Sequence, residues 1–230
     1  MALRHNKNGT SNGTTAVTVI PAPGAGLIHR LKSLVVTNKD TLNVQLIVRV
    51  NDNGTFREIR NITLIAGVSA TATLTFSGNA ANDETVEIGG KTYTFKTTIG
   101  SADGEVDVGI NQAESEDQLT AAINLGAGGG TKYTSQTTAH PSVTAAHVAS
   151  TVVVTAIATG AAGNAITVSE GMGSGDWGVS VLTGGVDATS LEVRDDIILA
   201  TTNQTLEILL GWPVITTELD YTASYVRESL

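Results

Sequence analysis

Residues 42–64 read LNVQLIVRVNDNGTFREIRNITL. In the first half, Leu42, Val44, Leu46, Val48 and Val50 recur at period two with Asn43, Gln45 and Arg49 between them, so a strand here turns its apolar set to a core. Asn51-Asp52-Asn53-Gly54 then supplies turn-forming residues, and an extended pattern resumes at Thr55. The stretch predicts a β-hairpin. Working outward, residues 16–20 and 28–36 before it, and 191–199, 205–210 and 217–226 far after it, are further strand-like runs. In the last run Leu219, Tyr221, Ala223 and Tyr225 alternate with Asp220, Thr222 and Ser224. Seven such strands make a β-sandwich provided the last three pair with the first four.

The stretch between these two groups has a different composition. Residues 71–187 hold no arginine, and three lysines there face twelve Asp and Glu; the flanks hold ten Lys and Arg against ten Asp and Glu. The net charge of -9 therefore belongs entirely to the middle. This pattern predicts one domain inserted into another: a flexible arm over 1–14, an outer β-sandwich from 15–70 plus 188–230, and an inserted acidic α+β domain over 71–187. At 230 residues the chain is long enough for two cores.

The arm, MALRHNKNGTSNGT, is too polar to bury anything and reads as mobile; alternatively it orders against a neighbouring subunit, with Arg4, His5 and Lys7 meeting an acidic surface. It has no apolar core, so neither a secretory signal nor a membrane anchor is expected, and nothing later approaches the ~18 apolar residues of a membrane-crossing helix. The expectation is a soluble protein made in the cytosol, with no membrane partner. A pI near 4.8 argues against binding nucleic acid, which needs cations to replace counterions along the phosphates. Cysteine is absent, which removes disulfides, thiolate metal sites and thiol nucleophiles.

Within the middle, residues 71–76, 85–88 and 91–96 read as strands, the last two joined by Gly89-Gly90 as a two-residue hairpin turn. Ser115 as N-cap with Gln118 three positions on, followed by Leu119, Ala122 and Ile123 on one face, predicts a helix that stops at Gly126. Residues 126–138 read as a long flexible loop, and 143–148, 151–157, 165–169 and 179–183 as strands.

TLTFSGNAANDETVEIGGKTYTFKTT (73–98), EDQLTAAINLG (116–126), TVVVTAIATGAAGNAITVSE (151–170) and LTGGVDA (182–188) together resemble an inserted module that recurs in structural proteins of tailed bacteriophages. Its pattern is a GGKTYTF hairpin, an AAIN helix, a GAAGN turn and a terminal LTGG, met here in that order over half the chain. More loosely, SLVVTNKDTLNVQLIVRV (33–50) and ILATTNQTLEILLGWPVITTELDYTASYV (198–226) resemble the jelly-roll-like sandwiches of phage head decoration and tail-associated proteins. The resemblance implies a virion protein, a major capsid protein as partner and a homotrimer.

Catalytic constellations are missing. Asp103, Glu105 and Asp107 alternate and could offer oxygens to calcium from one strand face, but without the spacing of a calcium loop they read as a solvated acidic edge. Asp195-Asp196 reads as a turn or strand edge. His5, His29, His140 and His147 show no metal-ligand spacing, and GMGSGDWG (171–178) lacks the Lys-Ser/Thr ending of a phosphate loop. No enzyme, metal site or cofactor is expected. Trp212, Tyr221 and Tyr225 are either core or subunit contact, and with Arg4, His5 and Lys7 they form the candidate interface. The reading is a capsid decoration or cement protein that grips the outer head through its neutral sandwich and projects the acidic insert. Alternatives are a tail, neck or head-fibre adaptor, and a carbohydrate-binding module using Phe76, Tyr93, Phe95, Tyr133 or Trp177 against host-surface glycan.

Overall fold

A computed structural model describes residues 3–11, 15–39, 42–194, 197–210 and 219–229. The chain is mainly β with one α-helix, and it divides into two compact units, Met1–Gly67 with Asp187–Leu230 (unit 1) and Val68–Val186 (unit 2).

Unit 1 contains β1 (Leu3–Ser11), β2 (Val17–Ile20), β3 (Leu27–Asn38), β4 (Val44–Asp52), β5 (Thr55–Leu64), β14 (Ser190–Val193), β15 (Ile198–Leu199), β16 (Gln204–Leu210) and β17 (Leu219–Ser229). One sheet runs β1-β17-β3-β14, with β15 also on β3; the other runs β2-β16-β4-β5. The first strand pairs with the last, the second with the next to last, β3 with β14 and β15, and β4 with β5, all antiparallel. A long hairpin rolled up in this way is a jelly roll. The β4–β5 turn is Asn53-Gly54, both at positive φ (49° and 90°), as a two-residue hairpin of this twist requires.

The period-two pattern of β4 is read out directly: Val44, Leu46, Val48 and Val50 are buried and pack with Leu31, Leu34, Val36, Leu206, Ile208 and Ala223 in one core. Leu42, expected to continue that face, lies ahead of the strand and is exposed, because the β4 ladder begins only at the Val44–Leu64 pair.

Residues 1–14 need a correction. Leu3–Ser11 is not a mobile arm; it pairs with β17 over nine residues, from Leu3 opposite Arg227 to Ser11 opposite Leu219. Its polarity misleads because an edge strand draws its stability from backbone hydrogen bonds, which need no apolar side chains.

Unit 2 has β6 (Ser69–Phe76), β7 (Thr85–Ile88), β8 (Lys91–Lys96), β9 (Glu105–Asp107), α1 (Gln112–Asn124), β10 (Val143–Val148), β11 (Thr151–Thr159), β12 (Val168–Gly171) and β13 (Gly175–Asp176). Its sheets are β10-β11-β6-β13 and β12-β7-β8-β9, with only the β8–β9 pair parallel. Both share a core with Leu119, Ala122 and Ile123 of α1.

The helix begins earlier than its sequence signal suggests. Asn111 is the N-cap, its side chain accepting from Glu114 N at 3.0 Å, while Ser115 is buried inside the helix with its hydroxyl on Val108 O and Asn79 Oδ1. Leu125 ends it in the left-handed region at φ 51°. Residues 126–138, expected as a flexible loop, are tied down: Tyr133 is buried, its hydroxyl donates to Gly126 O, and Thr134 N reaches Glu105 O at 3.0 Å. The strand expected over 165–169 shifts to β12, since Ala161–Ala165 closes as a 3-10 turn. Over 179–183 only isolated bridges form, Thr167–Val181 and Thr71–Thr183.

Candidate functional site

Five of the six candidate interface residues meet on the β1–β17 ladder; Trp212, like Asp195-Asp196, lies outside the described residues. His5 stacks on Tyr225 with ring centroids 5.2 Å apart and planes 17° from parallel, and His29 of β3 contacts the same tyrosine at 4.9 Å. Arg4 Nε donates to Ser224 Oγ at 2.9 Å, and Lys7 Nζ to Thr18 O at 2.5 Å. These groups fasten the first strand within its own unit. Tyr221 and Tyr225 are buried in the jelly-roll core, and burial raises the Tyr221 phenol above its ordinary pKa. Their rings are therefore core and not available to a partner surface.

The surface with docking character is elsewhere, on β5. It ends its sheet, pairs only with β4 among the described strands, and is exposed along eight of its ten residues. Phe56 (53% exposed) and Ile62 (40%) stand on it beside Arg57, Glu58 and Arg60. Beneath Phe56, the Arg49 guanidinium lies 3.7 Å from the ring centroid and pairs with the buried Glu207 at 3.1 Å. Asn51 Nδ2 donates to the other Glu207 oxygen at 2.8 Å, so the carboxylate is held from two sides. A long edge open on both faces is unusual, since natural edges are normally short or covered. The sequence shows β5 as a strand but gives no signal that both faces stay open. That depends on where the partner sheet ends.

Asp103, Glu105 and Asp107 serve turns and an ion pair. Glu105 accepts from Gly100 N at 2.7 Å, Asp107 from Gly109 N at 3.1 Å, and Asp103 pairs with Lys91 Nζ at 3.1 Å and accepts from Thr138 N. Partial desolvation works against ionised Asp103, but the Lys91 and Thr138 hydrogen bonds and the Lys91 charge outweigh it and hold its carboxyl below the usual range. Among the described residues no group of His, Asp and Glu is placed to hold a metal ion.

His140 and His147 occupy opposite environments. His140 Nδ1 accepts from Ser142 N and Val143 N at 3.1 Å, which puts the proton on Nε2, 2.8 Å from Ile88 O. Desolvation lowers its pKa, so it is a neutral structural residue. His147 lies between two carboxylates, with Nε2 at 2.7 Å from Glu116 Oε2 and Nδ1 at 2.7 Å from Asp117 Oδ1. Sequence spacing could not reveal this, because the partners are thirty positions away.

Phe76, Tyr93, Phe95, Tyr133 and Trp177 are all buried in the core of unit 2 and offer no stacking platform to a sugar. No described helix is long and apolar enough to cross a membrane. The chain matches no family model, and no curated protein or solved structure matches it.

Proposed function

We propose that this chain is a non-enzymatic structural protein of a tailed-phage virion, a decoration or cement protein that binds the outer head surface through unit 1 and leaves unit 2 as its acidic exposed part. The observation that carries the reading is the open β5 edge on a nearly neutral jelly roll. Unit 1 has ten Lys and Arg against eleven Asp and Glu, a net of -1, whereas unit 2 has three Lys against eleven acids, a net of -8. A surface with balanced charge loses less on desolvation than one carrying uncompensated anions, so attachment falls to unit 1.

On that unit, β5 exposes an apolar side chain on each face, Phe56 opposite Asn51 on the outer face and Ile62 opposite the buried Leu46 on the inner one, with Arg57 and Arg60 along the same edge; apolar contact with a cationic border is what a partner interface uses. The partner is the major capsid protein, and the jelly roll agrees with the phage resemblance of 33–50 and 198–226. A modest site suffices, because a homotrimer on a repeating shell multiplies weak contacts by avidity. A virion reconstruction tests the assignment. Density on the outer head with unit 1 against the capsid lattice is expected, and density confined to the tail overturns it.

A further inference from the structure

We propose that His147 is a pH-dependent clamp that fixes the first half of helix α1 to β10, one of the two edge strands of its sheet, and releases it as the pH rises. The clamp concerns unit 2 by itself and does not rest on the virion reading.

The oxygen atoms around the ring carry the argument. His147 Nδ1 meets Asp117 Oδ1 at 2.7 Å, and Nε2 meets both Glu116 Oε2 at 2.7 Å and Ala149 O at 2.6 Å. All three oxygens are acceptors. A neutral imidazole has one N–H, so either tautomer turns a lone pair toward an oxygen, and only the imidazolium can donate on both sides. Loss of that proton has a large consequence at Glu116, which is 1% exposed. Its remaining partner is the neutral amide of Gln112, at 2.9 Å from Oε1. A buried carboxylate without a counter-charge is strongly disfavoured, and moving the helix toward water relieves it.

No neighbour compensates. β10 pairs with β11 alone, and β11 (TVVVTAIAT) has no charged side chain, so Glu116 and Asp117 of α1 are the only ionisable groups facing the ring among the described residues. The far half of the helix is held differently: Asn124 donates to Ala145 O at 2.7 Å and accepts from Ala145 N at 2.9 Å, contacts indifferent to pH. Release is therefore hinged, loosening residues around Glu116–Thr120 while Asn124 stays attached.

The direction agrees with the electrostatics. The hydrogen bond to Asp117 comes first, and with the Ala149 carbonyl and the charges of Glu116 and Asp117 it outweighs partial desolvation and holds His147 above its ordinary 6.5. A His raised in the folded state contributes its full stability below its unfolded value and loses it as pH climbs through the raised one. The clamp is closed in acid and opens on the alkaline side.

The test is an NMR titration of the four imidazole Cε1–H signals in the full chain, together with amide-exchange protection factors across α1. His147 is expected to titrate above His140, and protection at Glu116–Thr120 to fall about tenfold between about pH 6 and about pH 9 while Asn124 is unchanged. Asp117→Asn should lower the His147 titration, and His147→Gln should abolish the pH dependence of protection. Titration of wild-type His147 at or below its ordinary value, or α1 protection unaffected by pH, overturns the proposal whether or not the variants fold.

Discussion

Val68 and Val186, the first and last residues of unit 2, form an antiparallel bridge in which Val68 N donates to Val186 O at 2.8 Å and Val186 N to Val68 O at 3.0 Å. Just outside them, Ile65 N donates to Thr189 Oγ1 at 2.6 Å and Thr189 N to Ile65 O at 3.0 Å. The two chain crossings thus lie side by side, so the whole insertion occupies one short connection, between β5 and β14 of the jelly roll.

Excision of unit 2 follows from that closure. Joining Gly67 to Asp187 through a few Gly and Ser residues adds little loop entropy, because Ile65 and Thr189, two residues in from those ends, are already hydrogen-bonded. The product is expected to give one cooperative thermal transition with a β-type circular dichroism spectrum. An unfolded product would mean that unit 1 needs unit 2.

The Arg49–Glu207 pair offers a second test. Arg49→Met strands the Glu207 carboxylate, which is buried, and is expected to cost about 3 kcal/mol in urea unfolding. Adding Glu207→Leu should recover most of that loss, because removing both charges also removes the desolvation penalty.

Gly104 and Gly90 both sit at φ +82°, which separates strain from sterics. A Cβ on Gly104 would lie 2.2 Å from Thr92 O, whereas one on Gly90 meets nothing within 4 Å. Gly90→Ala is expected to cost about 1 kcal/mol, the left-handed penalty alone. Gly104→Ala should cost at least about 2 kcal/mol more, since the chain turn or β8 must move. Equal losses for the two variants in thermal melts would contradict the close approach.

For the β5 surface, Arg57→Glu combined with Ile62→Asp changes exposed side chains only. The melting temperature should stay within a few degrees, while affinity for purified heads drops about tenfold or more, about 1.4 kcal/mol. The wild-type interaction should also weaken with salt, as exposed charge contacts are screened.

Much of the sheet architecture was legible. Strands over 85–88, 91–96 and 143–148 fall where composition put them, because short alternating runs between glycine turns have few other ways to bury their apolar residues. The first strand was not legible: LRHNKNGTS has no alternation, and its place beside β17 is set by backbone hydrogen bonds and by the Tyr221 and Tyr225 rings beneath Gly9 and His5. The helix start was displaced because Ser115 and Asn111 are both good caps, and only the packing of Ser115 against Val108 decides between them.

By itself the sequence determined the periodicities, the turns and the segregation of charge between the flanks and the middle, all of which are properties of residues close together in the chain. Tertiary structure alone decided that β1 adds to β17 as the edge of its jelly-roll sheet, that β5 remains open, and that His147 meets Glu116 and Asp117. Each of these depends on backbone groups or side chains distant in sequence. Hydrogen bonds between strands are nearly blind to side-chain identity, so no local pattern announces the partner.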